Sequence, residues 1–175
     1  MNSRERYDAA VGDFIAWFIS AARLRDAANL VLAGIPEKDR SPRYDVPEGY
    51  LAANSVPDLR GVYLYLASLS IENLLKGFWV QANEHEYKNG KHPKAIKGHE
   101  LGKLAMLANV TFDATEKSFV DLSRQAESLG RYPGPLDDSQ DLVLPDEADI
   151  NKMTMVFEAL YERLRDELMK DVEPG

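Results

Sequence analysis

Residues Gly61 to Val80 read GVYLYLASLSIENLLKGFWV, a stretch that is apolar nearly all the way round when wound as an α-helix. Such a helix has no face to turn toward water, so protein must surround it. The chain therefore has to fold with this segment at the centre of a bundle or in a subunit interface. The spacing predicts a helix from Pro57 to about Asn83, opened by the capping-box-like run Ser55-Val56-Pro57-Asp58. No uninterrupted run of about eighteen apolar residues occurs, so no membrane span is expected.

Four further segments carry helical periodicity, and none alternates like a strand. The first is expected from about Arg4 to Leu32, with Ser3 as N-cap and Phe14, Ile15, Phe18, Ala22 and Ala28 to Val31 as its apolar stripe. Gly34 and Pro36 are its stop signal. A short helix follows from about His99 to Asn109. Another begins near Asp113, where Asp113 and Glu116 have capping-box spacing, and ends at Gly130. The last starts at Pro145-Asp146-Glu147, runs to about Val172, and aligns Met153, Val156, Phe157, Leu160, Tyr161, Leu164 and Leu168. Two loops are expected, Glu37 to Asn54 with Pro42, Pro47 and Gly49, and Tyr132 to Leu144 with Pro133, Gly134 and Pro135; the first is long enough to be either functional or partly mobile. The expectation is an all-α, four- to five-helix up-and-down bundle occupying residues 1–175 as one domain.

Composition narrows the function classes. The chain has no cysteine, which removes disulfides, thiolate catalysis and Cys-based zinc sites. A formal net charge of -8 over 175 residues opposes broad, nonspecific binding to phosphate backbones. The N-terminus lacks the apolar core of a secretory signal, and the cytoplasm is the expected location. Three histidines, His85, His92 and His99, have no metal-ligand spacing, and there is no GxSxG, Walker or GxGxxG motif. Neither a metal nor a cofactor is expected.

Chemistry concentrates at a few positions. At 100° per residue, Tyr65, Leu69, Glu72 and Lys76 lie within about 60° of one another. The acid and the ammonium continue an apolar line and are spaced to pair. They read either as a structural ion pair, as the polar floor of a ligand pocket, or as a face turned to solvent. From Lys88 to Lys103 five lysines stand against one acid, a local reversal of the chain's charge. This is either a solvated loop or a patch in which Lys91, Lys94 and Lys97 contact phosphate or an acidic partner. His99, at the expected start of a helix, reads as a cap or as a general base. Arg131 and Tyr132 follow Gly130; the guanidinium suits the last carbonyls of its helix, Glu72, or an anion.

In order along the chain, Ile71-Glu72-Asn73-Leu74-Leu75-Lys76, His99-Glu100-Leu101 and Arg131-Tyr132-Pro133 resemble the HEPN domain family. The similarity covers roughly Gly61 to Pro135, within a HEPN-like core of about 57–135, and the first helix fits the family's opening helix only by pattern. It implies a helical bundle that dimerises and has links to nucleotide binding, RNA processing and toxin–antitoxin or defence systems. The ribonucleases of that family carry an arginine and a histidine separated by four to six residues. Here no arginine is followed by histidine at that spacing, and the positions after Arg131 hold Leu136, Asp137 and Asp138. The expected function is therefore a homodimeric binding module for a nucleotide, RNA or a partner protein, acting without catalysis through Glu72, Lys76, His99, Arg131 and Tyr132. A divergent metal-independent ribonuclease or toxin using His99 and Arg131 is the second expectation. A structural or accessory oligomerisation subunit is the third.

Overall fold

Leu59–Ala82, the helix without a polar face, is surrounded as the sequence requires. The computed structural model describes residues 5–6, 11–35, 59–83, 93–131, 147–170 and 172, with backbone only for 125–131 and 147–149. Every regular element among these residues is helical. They are α1 (Phe14–Ala33), α2 (Leu59–Ala82), a 3-10 turn (Lys94–Ile96), α3 (Leu101–Leu107), α4 (Ala114–Arg131) and α5 (Glu147–Met169). None of the described helices is long and apolar enough to cross a membrane.

Fourteen of the 24 residues of α2 are buried, on all sides, and α1, α3, α4 and α5 all pack against it. Its longest contact is with α1, where the Ser70 hydroxyl donates to the Ala21 carbonyl at 2.8 Å. Further along, a Cβ on Gly77 would stand 3.1 Å from Leu168 of α5 and 3.5 Å from Trp17 of α1. Residues 70 and 77 of α2 thus meet 21 and 17 of α1, so the two helices run antiparallel. The aromatic centre joins three helices: Phe157 of α5 stacks on Phe119 of α4 at 5.8 Å and meets Tyr63 of α2 edge-on at 6.3 Å. All seven residues of the expected α5 stripe are buried.

Helix ends show where local chemistry won. Asp113 and Glu116 form a reciprocal capping box: the Glu116 backbone N–H donates to Asp113 Oδ1 at 2.8 Å, and the Asp113 N–H donates to Glu116 Oε2 at 2.9 Å. The first helix, in contrast, does not run unbroken from Arg4. Residues 5–6 and 11 are helical, but the chain breaks at Gly12–Asp13 and α1 starts afresh, with Asp13 Oδ1 accepting the Ile15 N–H at 2.9 Å. A glycine weakens the helix there and the adjacent carboxylate offers the freed backbone a partner. Ser3 and Pro36 lie outside the described residues; Gly34 does cap α1, its N–H donating to the Leu30 carbonyl at 3.1 Å. α4 continues through Gly130 to Arg131, and α5 ends at Met169 rather than near Val172.

The third helix is shorter than its periodicity suggested. It begins at Leu101, with Glu100 as N-cap, and ends at Leu107. Asn109 takes a left-handed conformation at φ 55° while the Val110 N–H donates to the Ala105 carbonyl at 2.9 Å, the closing turn that asparagine tolerates best after glycine. Two arginines then tie α5 to its neighbours. Arg163 grips Glu116 of α4 with Nε at 2.9 Å and Nη2 at 3.0 Å. Arg25 of α1 donates to Glu158, pairs with Glu162 at 2.8 Å, and lies 4.4 Å over the Tyr161 ring.

Candidate functional site

Glu72 and Lys76 sit one turn apart on α2, both 5% exposed, and Lys76 Nζ donates to Glu72 Oε1 at 2.6 Å. Burial in a low-dielectric setting makes each charge dependent on the other, because an isolated buried ion carries a desolvation cost of several kcal/mol, roughly. Lys76 gains a second neighbour from α1: its ammonium is 5.7 Å from the centre of the Trp17 ring, whose π-face attracts cations. The pair is therefore part of the interior. It is not a face turned to solvent.

The carboxylate has a third partner, 27 residues away in sequence. His99 Nδ1 lies 3.0 Å from Glu72 Oε2 and 3.1 Å from Oε1, while 42% of its side chain is exposed. A carboxylate accepts only, so this contact calls for the proton on Nδ1. In the neutral ring that leaves Nε2 as an acceptor, and no hydrogen bond reaches it among the described residues. His99 does not open α3 or cap it, as its sequence position suggested. It precedes the Glu100 cap, and its ring is drawn to Glu72 because an ionised acceptor outcompetes backbone groups.

Above this contact is a cleft of about 200 Å³ lined by Tyr65, Ser68, Leu69, Glu72, His99, Glu100, Leu101, Ser123 and Arg124. Tyr65, Leu69 and Glu72 are three of the four residues that helical spacing had put on one face; the fourth, Lys76, lies beneath the floor and lines none of the cleft. Opposite them α4 contributes Ser123 and Arg124. The guanidinium of Arg124 donates to Glu100 at 3.1 Å, with both side chains more than half exposed. An ion pair so open to water is worth about 0–1 kcal/mol and can be exchanged for another anion at little cost.

Three of the expected site residues are thus brought together: Glu72, Lys76 and His99. Lys94 and Lys97 are exposed and outside the cleft lining. Lys91 and Tyr132 lie outside the described residues, and of Arg131 only the backbone, ending α4, is described. The cleft's own arginine is Arg124, which sequence reasoning passed over. The sole signal for it is its place one turn beyond the buried Phe119 and Val120 on a helix that packs on α2. Trp17 was equally unannounced, since its ring counts as one more apolar residue until Lys76 is found beneath it.

No known family model, curated protein or solved structure matches this chain.

Proposed function

We propose that the protein is a binding module with a HEPN-like up-and-down bundle, and that its cleft takes the base of a nucleotide or of single-stranded RNA without catalysing a reaction. The observation that carries this reading is a buried carboxylate at the floor of a small cleft, neutralised from below by Lys76 and joined by a half-exposed imidazole. Glu72 accepts hydrogen bonds from the amino and imino edge of a base, and the hydroxyls of Ser68 and Ser123, which donate to the Tyr65 and Val120 carbonyls at 2.8 Å and 2.7 Å, keep lone pairs with which to accept. Arg124 is the cation able to leave Glu100 for a phosphate, and a bidentate grip favours that exchange. Lys94 and Lys97, exposed on the adjacent turn, add positive potential against an acidic chain. A homodimer acting in a toxin–antitoxin or defence setting belongs to the same proposal.

Titrating mononucleotides and short unstructured RNAs into the labelled protein tests it. Chemical-shift changes are expected at Tyr65, His99 and Arg124, lost in Arg124→Ala for phosphate-bearing ligands but retained for the nucleoside. The absence of any change with every ligand removes the nucleotide reading and leaves a partner protein as the cleft's occupant.

A second reading, metal-independent RNA cleavage, is favoured by one observation: the carboxylate holds His99 by Nδ1 and leaves Nε2 available as a base in the cleft. It requires cleavage of RNA in the presence of chelator that disappears in His99→Ala. Equal inertness of wild type and variant on varied RNAs eliminates it.

A further inference from the structure

Protons, more than shape, decide what the floor of the cleft can hold. Glu72 lines it with a carboxylate, which accepts only. Ser68 and Ser123, 7% and 3% exposed, each spend the hydroxyl proton on a carbonyl of their own helix. Their oxygens keep nothing but lone pairs for a ligand. His99 commits its Nδ1 proton to Glu72, so Nε2 of the neutral ring accepts as well. Four groups from α2, α4 and the segment before α3 thus offer acceptors to one small space. The lining side chains able to donate are Arg124, already paired with Glu100, and the Tyr65 phenol.

Glu72 keeps capacity beyond its neighbours. A carboxylate has about four lone-pair sites; Lys76 takes one at Oε1, and the single His99 proton is shared between the two oxygens. The charges are also balanced, Glu72 by Lys76 and Glu100 by Arg124, so the floor suits a neutral donor edge rather than a cation. A lone pair brought against these acceptors would be repelled and left without a partner. The edge that enters must therefore carry donors side by side.

The four bases differ in this respect. Adenine sets its amino donor beside the N1 acceptor, and cytosine sets its own beside N3. Uracil flanks one imino donor with two carbonyls. Guanine alone places two donors together, N1–H and the N2 amino group, with its O6 acceptor at one end of the edge. On the reading that the cleft takes a base, we infer that it selects guanine, whose N1–H and N2 amino group donate to Glu72 and to the serine and imidazole acceptors beside it.

Titrating the labelled protein with the 5′-monophosphates of guanosine, inosine, adenosine, cytidine and uridine tests this, because ribose and phosphate are common to all five. Chemical shifts at Tyr65, His99 and Arg124 report the site. Guanosine monophosphate is expected to bind tightest. Inosine monophosphate keeps N1–H but lacks the amino group, and its dissociation constant should be about tenfold higher, with the other three weaker still. Glu72→Gln replaces one acceptor oxygen with a donor. Made together with Lys76→Met, which removes the ammonium that would lose its partner, it should abolish the guanine preference; circular dichroism confirms the fold. The wild-type series decides by itself if that variant does not fold. Five nucleotides within a few-fold of one another, inosine equal to guanosine, or any other base binding tightest overturns the guanine assignment and leaves a cleft that takes bases. A folded double variant that keeps the full preference overturns it equally. No shift with any of the five removes base binding itself, and the guanine assignment with it.

Discussion

Glu72 and Lys76 are enclosed by the same helices, and each is the nearest countercharge of the other. Removing one alone should be far worse than removing both. Lys76→Met is expected to cost about 3–5 kcal/mol in urea unfolding, because the Glu72 carboxylate is left buried with only His99 beside it. Combined with Glu72→Gln, most of that loss should return; a double variant as unstable as the single would show that the pair itself carries the stability. Tyr63 poses the opposite problem. Its hydroxyl is fully buried without a hydrogen-bond partner of good geometry among the described residues, and burial pushes the phenol up to about 12, helped by Glu158 and opposed by the nearby Thr154. Tyr161 is raised by burial too, with Arg25 opposing. A phenol whose folded pKa is raised contributes stability that is complete below about pH 10 and disappears as pH climbs toward 12. The shift at Tyr63 amounts to roughly 2 to 3 kcal/mol across that window. Tyr63→Phe should therefore be neutral or stabilising at pH 7 and should flatten the alkaline loss measured by thermal melts between pH 9 and 12. A Phe variant with the wild-type alkaline profile would contradict this.

Among the elements, α4 depends most visibly on a designed start. Asp113 accepts from the Thr115 and Glu116 backbone N–H groups, and Glu116 returns the bond while also holding Arg163 of α5. Asp113→Ala should cost about 1 kcal/mol, the usual worth of an N-cap. Glu116→Ala should cost more, since it frees both the Asp113 amide and the half-buried guanidinium of Arg163. Urea midpoints ordered wild type, Asp113→Ala, Glu116→Ala are expected, and the reverse order would refute the shared role of Glu116. The ends of α4 and α5 were partly readable because capping is a local exchange of hydrogen bonds within four residues. The break at Gly12–Asp13 was missed for a related reason. Apolar periodicity continues straight across it and masks a capping signal as local as the one at Asp113.

For the molecule as a whole, the packing converges on Phe157, which touches Tyr63, Phe119 and Tyr161 and so joins α2, α4 and α5. Phe157→Ala is expected to lower stability by about 3–5 kcal/mol, with all helices melting together in far-ultraviolet dichroism and tryptophan fluorescence. With Trp79→Phe as background, so that Trp17 is the sole tryptophan, separate transitions for the two probes would show that α1 folds apart from this core. Helical period, apolar all-round character and the i,i+4 spacing of Glu72 and Lys76 are properties of neighbouring residues, so the amino-acid order alone determined the helical elements, an α2 with no polar face to expose, and an acid and a base spaced to pair. Which histidine, arginine and tryptophan surround that pair was decided only in three dimensions. His99 reaches Glu72 across 27 residues, Arg124 of α4 lines the cleft, and Trp17 meets Lys76 from another helix. The physical reason is that a helix repeats a rule every 3.6 residues, whereas the meeting of distant segments depends on loop paths and packing angles that no local pattern encodes.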